Sequence, residues 1–153
     1  MAVPLKVDVT TGDRITPREI VYDYPLRLEK RSIRVMAYNI ETLLAEKLET
    51  ILSRGDVNTR MRDFYDVHLL RKMQGRKIDW DLLQKAVKAT AKRRDTFSLL
   101  ETYGNIMHDI ATSETMAKRW VVYRRDFDYA QHLEFEDICR SVRGVLNKIC
   151  SAR

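Results

Sequence analysis

The chain has 153 residues, 28 Lys+Arg against 22 Asp+Glu, and a net charge of +6. That length suits one domain, the 44% of apolar residues support a packed core, and five Gly and three Pro exclude collagen-like and low-complexity chains. No stretch nears the roughly 18 apolar residues of a membrane span, MAVPLKVDV has no apolar signal core, and two cysteines fit a reducing cytoplasm.

Residues 4–9 (PLKVDV) alternate apolar and polar and predict a strand, followed by a turn around Gly12. Residues 18–24 and 31–37 predict two more short strands, punctuated by Pro17 and Pro25. After Ala37 the period turns helical. Asn39 is a good N-cap for a helix to about Ser53, and RGDVNT reads as a loop. Thr59 is the expected cap of a helix to about Met73, and Asp79 of one over 80–94. Helices near 98–111 and 114–125 follow, the second capped by Ser113, and a last one runs from about Leu133 to Cys150. About three strands and then five to six helices make an α+β pattern with segregated elements. Residues 1–37 read as the strand-rich remnant of a sheet and 38–153 as a helical bundle, together one folding unit.

The charge is unevenly placed. Between Arg71 and Arg94 nine basic residues are opposed only by Asp79 and Asp81, so this stretch holds more than the whole net charge. It is either a solvated surface or a phosphate-facing patch for RNA or nucleotide.

Polar residues also fall where the helical period asks for apolar ones. In the helix after Asn39 the apolar stripe is Ile40, Leu43, Leu44, Leu48, Ile51 and Leu52, and Lys47 lies inside its arc with Arg54 near the same edge. Glu46, Glu49 and Thr50 mark the expected wet side. In the next helix Val67, Leu69, Leu70 and Met73 mark the apolar sector, and Asp63 and Asp66 point into it. Arg60, His68, Arg71 and Lys72 read as the outer side. Two consecutive helices therefore direct opposite charges inward. The bland outcome is an ion pair, Lys47–Asp63 or Arg54–Asp66, pinning helix to helix. The functional one is a cleft whose cations meet phosphates. On the first strand Lys6 and Asp8 project from one face, and a strand carboxylate such as Asp8 can ligate Mg²⁺.

Together these residues resemble the AbiEii/AbiGii family, nucleotidyltransferase-like toxins of type IV toxin–antitoxin and abortive-infection systems. The match is carried by Lys6-Val7-Asp8 and by the run Ala45-Glu46-Lys47-Leu48-Glu49, then Arg54, then Arg62-Asp63-Phe64-Tyr65-Asp66. It is strongest over residues 4–73. The resemblance implies Mg²⁺-dependent transfer from a nucleoside triphosphate to an acceptor, tRNA in some members. By position, Asp8 would be a catalytic metal carboxylate. Lys6, Lys47 and Arg54 would hold phosphates, and Asp63 would orient a cation or an acceptor hydroxyl, with Asp66 and Arg62 in support. A cognate antitoxin is the implied protein partner.

Family members open with a Gly-Ser or Gly-Gly turn and an Asp-x-Asp strand. This chain has neither glycine pair, and its two Asp-x-Asp triplets, at Asp79–Asp81 and Asp126–Asp128, fall at helix ends. The expectation is therefore the C-terminal portion of such an enzyme, inactive without the other half. The alternatives are a truncated remnant that binds a protein partner, or a basic helical module that binds RNA.

Other chemistries find no support. His68, His108 and His132 lack metal-ligand spacing with any Cys. Cys139 and Cys150, eleven residues apart on one helix, are about 16 Å apart by helix rise and read as core. Trp80 and Trp120 read as helix packing, and Tyr22 and Tyr24 as strand packing.

Overall fold

The computed structural model describes residues 15–150. The expected strand at 4–9, with Lys6 and Asp8, lies outside them. Two antiparallel strands, β1 (Ile20–Pro25) and β2 (Ser32–Ala37), pair in register Ile20↔Ala37 through Pro25↔Ser32. Six helices follow: α1 (Ile40–Arg54), α2 (Met61–Gln74), α3 (Trp80–Arg93), α4 (Tyr103–Thr112), α5 (Glu114–Asp126) and α6 (Phe135–Cys150). The α+β class stands, with two strands among the described residues rather than about three.

Helix starts follow local chemistry. Asn39 Oδ1 accepts the Thr42 N–H at 2.8 Å, Asp79 Oδ1 the Leu82 N–H at 3.0 Å, and Ser113 Oγ the Met116 N–H at 3.3 Å. Each such cap contributes on the order of 1 kcal/mol. Thr59 does not cap α2. Asn58 Oδ1 instead accepts the Arg60 N–H at 2.8 Å, and the helix begins at Met61. The helix expected over 98–111 divides into a 3₁₀ turn at Phe97–Leu100 and α4.

The core is built by α1 packing on α2 and α3, with α6 lying across α2, α3 and α4. Leu44, Leu48, Ile51, Phe64, Leu83, Met107, Trp120, Val142 and Leu146 are fully buried in it. Trp120 also donates its indole N–H to the Leu133 carbonyl at 3.0 Å. Cys139 is buried in the same core, where desolvation pushes its thiol up to about 12, and Cys150 is half-buried.

Several sequence expectations are corrected here. Leu43 is 37% exposed, whereas Glu49, expected on the wet side, is buried at 3%. α3 covers that side of α1, and Arg94 reaches back to donate to both Glu46 and Glu49. On α2 the buried stripe is Met61, Phe64 and Val67, while Met73 is 67% exposed. His68 and Arg71, expected outside, face α6. His68 Nδ1 lies 2.7 Å from Ser141 Oγ, and the Arg71 guanidinium donates to the Ser141 carbonyl over the bare Cα of Gly144.

The hairpin packs differently from the rest. One face of it, Ile20, Tyr22 and Tyr24 with Ile33, is apolar and about half exposed. Tyr22 and Tyr24 touch edge to face at 6.5 Å but are not buried as expected. The segment before β1 is tied to α1 by Thr16, whose carbonyl accepts from Asn39 Nδ2 at 2.6 Å and whose N–H reaches Thr42 Oγ1 at 3.0 Å.

Candidate functional site

Lys47 sits midway along α1, one residue before the fully buried Leu48, so its stem leaves the helix at the edge of the core. α2 crosses that edge and presents Asp63 and Asp66, three residues apart on one face. The ammonium donates to Asp63 Oδ1 at 3.1 Å and to Asp66 Oδ2 at 2.7 Å. Arg60 Nε donates to the second Asp63 oxygen at 2.9 Å, and Arg62 Nε stands 3.9 Å from Asp66 Oδ2.

Burial is graded through this cluster. The Asp63 side chain is 5% exposed and Lys47 15%, whereas Arg60 and Arg62 are 58% and 77% exposed. Three cations face two carboxylates, so the cluster keeps one positive charge after internal pairing. Its inner charges are held by hydrogen bonds, while the two guanidiniums stand at the rim with unused donors, the arrangement an anion with several oxygens requires. A cavity of about 430 Å³ opens over these groups, bounded also by Thr59, Met61 and Tyr123.

The structure thus brings together four sequence-selected residues: Lys47, Asp63, Asp66 and Arg62. Of the two helix-pinning pairs weighed from sequence, it forms Lys47–Asp63. Asp66 pairs with Lys47 and not with Arg54. Arg54 ends α1, is exposed and does not line the cavity. Lys6 and Asp8 lie outside the described residues.

Two members were not selected from the sequence. Arg60 precedes the first turn of α2, where the irregular backbone swings it onto Asp63, and helical phase misplaces such a residue. Tyr123 stands three residues after the buried Trp120 on α5, a spacing that marks it as wall. Its phenol is 3.1 Å from that of Tyr129, and burial with this neighbour raises its pKa well above the ordinary 10. Tyr65, beside Asp66, is raised for the same chief reason, desolvation.

Among the described residues no group of three or more His, Cys, Asp or Glu could hold a metal ion. Asp63 and Asp66 fit Mg²⁺ poorly as well, because ammonium and guanidinium groups take both Asp63 oxygens and Asp66 Oδ2. The two Asp-x-Asp triplets are helix punctuation: Asp79 caps α3, Asp126 ends α5 and Asp128 opens a 3₁₀ turn. No described helix is long and apolar enough to cross a membrane.

The family model described as nucleotidyl transferase AbiEii toxin, type IV TA system, matches residues 1–144. No curated protein and no solved structure matches the chain.

Proposed function

The chain belongs to the AbiEii family of nucleotidyl transferase toxins of type IV toxin–antitoxin systems, and from that membership we propose that the cavity over Lys47 seats the phosphates of a nucleoside triphosphate. The observation that carries this reading is the graded cluster itself. One ammonium is fixed by two carboxylates beneath two exposed guanidiniums. Lys47 meets the transferring phosphates, and Arg62 and Arg60 meet the outer oxygens. Asp63 and Asp66 keep the ammonium in place, so little reorganisation is needed when charge develops on phosphorus. Lys6, outside the described residues, and Arg54, exposed at the end of α1 and off this cavity, are further phosphate contacts that the family resemblance implies.

Transfer of the nucleotide to an acceptor hydroxyl, with pyrophosphate leaving, is the reaction such a cluster supports, and tRNA is an acceptor that fits it. Mg²⁺ enters only through carboxylates outside the described residues, Asp8 first among them. The family's Asp-x-Asp strand supplies two more, and these 153 residues hold no equivalent. These residues therefore bind nucleotide, and transfer needs two further carboxylates of that kind. The family description adds a cognate antitoxin as the cellular counterpart.

Titrating the purified chain with each nucleoside triphosphate by calorimetry tests the binding site. Lys47→Ala should weaken binding at least tenfold, since a hydrogen bond to a charged group contributes about 1.5–3 kcal/mol. Binding of Lys47→Ala equal to that of the parent chain would exclude the site. Incubation with labelled triphosphate, Mg²⁺ and tRNA tests the second part, and transfer by these 153 residues alone would exclude the need for further carboxylates.

A further inference from the structure

A second cavity, of about 490 Å³, adjoins the Lys47 cavity and shares Thr59, Met61 and Tyr123 with it. Its floor is Val122 and the ring of Phe127, which are 47% and 42% exposed, and Lys118 and Arg119 of α5 stand along it. Phe127 is not a stray apolar residue. Its ring packs against Tyr123 at 4.7 Å between centroids and against Tyr129 at 5.4 Å, and Tyr129 in turn lies 4.8 Å from Tyr65. This makes a backed aromatic shelf whose outer end, Phe127, is partly exposed to the groove.

The cations beside the shelf are placed differently. Arg119 is fixed by donating to the Asp56 and Asn58 carbonyls at 3.3 and 3.0 Å. Among the described residues Lys118 meets only the exposed Glu114, at 3.5 Å, a solvent-screened pair of little strength. Among the described residues Asp126 is the one acid lining this groove, and it pairs with Arg125 at 3.0 Å.

We infer that this groove receives the unpaired end of a nucleic-acid acceptor strand, one base stacking on Phe127 while its phosphates meet Lys118 and Arg119. Open aromatic faces beside cations are what a single strand needs, because every base has a π-face and every linkage a negative charge. A duplex keeps its inner bases stacked on one another and offers only its terminal pair, so it gains less from the shelf than a single strand. The shared Tyr123 wall puts the strand next to the Lys47 cavity, so the inference rests on the nucleotide reading proposed above and assigns the acceptor its own subsite.

The test is fluorescence anisotropy of a labelled single-stranded RNA of about ten nucleotides, and of its blunt duplex, with the whole chain. Phe127→Ala should weaken single-strand binding about five- to hundredfold, and Phe127→Tyr should stay within about twofold of the parent. Lys118→Ala should lower the salt slope by about one. Val122→Glu sets a carboxylate in the groove without touching the aromatic stack, so it gives a second reading should Phe127→Ala fold poorly; it should weaken binding at least tenfold. Nucleotide titration separates the two sites: Phe127→Ala keeps it and Lys47→Ala loses it, whereas Lys47→Ala keeps RNA binding. The groove is refuted by equal affinity of Val122→Glu and parent, by a duplex bound as tightly as the single strand, or by no RNA binding at all. Loss of nucleotide binding alone would instead refute the Lys47 reading.

Discussion

Lys47 Nζ lies 2.7 Å from Asp66 Oδ2 across the seam between α1 and α2, closer than the 3.1 Å that separates it from Asp63. The shorter contact is also the more exposed one, with Asp66 at 23% and Asp63 at 5%. Strength and burial are thus divided between the two carboxylates, and their removal should have different consequences.

Lys47→Met keeps an apolar stem but leaves Asp63 with Arg60 alone and Asp66 with a guanidinium at 3.9 Å. The expected loss in urea denaturation is about 1–3 kcal/mol. Asp66→Asn should cost less, because Lys47 still holds Asp63. A Lys47–Asp66 double-mutant cycle should give a coupling above about 0.5 kcal/mol. A coupling near zero would make the contact geometric only.

Arg94 should prove as important to the fold as any residue of the cluster. It bridges Glu46 and Glu49, and Thr96 adds a 3.0 Å hydrogen bond to Glu49 Oε1. Arg94→Ala leaves a nearly buried carboxylate without its cation and should cost about 2–4 kcal/mol. Arg94→Lys should recover less than half, since one ammonium cannot replace a planar fork on two carboxylates. Denaturation midpoints at neutral pH decide this, and full recovery by lysine would contradict the bidentate account.

The contrast between these two clusters explains what was legible in the sequence. Lys47, Asp63 and Asp66 each break a helical period locally, so each could be picked out by phase alone. Glu49 obeys its period and looks solvated. Only α3, brought back along α1 some 45 residues later, covers it. Arg60 and Asn58 escaped for another reason, because helical phase says nothing about residues in the turn before a helix. The alternation of Tyr22, Tyr24 and Ile33 marks strand. Burial was not readable there, because it depends on what lies against the sheet.

His68 gives the α2–α6 contact a pH dependence. Ser141 Oγ donates to the Asp137 carbonyl at 3.0 Å, so at Ser141 the His68 Nδ1–H is the donor, and the buried Nε2 has no partner among the described residues. Desolvation first, then Lys72, lower its pKa from 6.5; Asp137 opposes them, and Arg71 and His132 add smaller lowering effects. The unfolded chain therefore binds this proton more tightly. Stability is full above about pH 6.5 and falls as the pH drops below it towards the folded-state value. Melting midpoints measured between pH 7.5 and 5, in steps of about half a unit, should decline in the parent chain more steeply than in His68→Gln.

Gly55 closes α1 with φ 53° and ψ −139°, and its N–H bonds to the Ile51 carbonyl. No atom lies within 4 Å of an added Cβ, so any penalty is one of backbone conformation, not of space. Gly55→Ala should cost about 1–3 kcal/mol. It should also weaken nucleotide binding by disturbing the turn that leads to Asn58 and Thr59. A neutral substitution would show that the turn relaxes to another conformation.

The hairpin has one more consequence. Two strands alone are marginal in water, and among the described residues this pair is tied to the helices chiefly through the Thr16 hydrogen bonds to Asn39 and Thr42. The chain therefore carries two tiers of local stability. Amide protons of Leu48, Val87 and Leu146 exchange only with global opening, whereas those of Tyr22 and Val35 exchange through small, frequent openings of the hairpin. Hydrogen exchange at β1 and β2 then becomes a direct gauge of whether anything covers the Ile20–Tyr22–Tyr24 face, independent of catalysis.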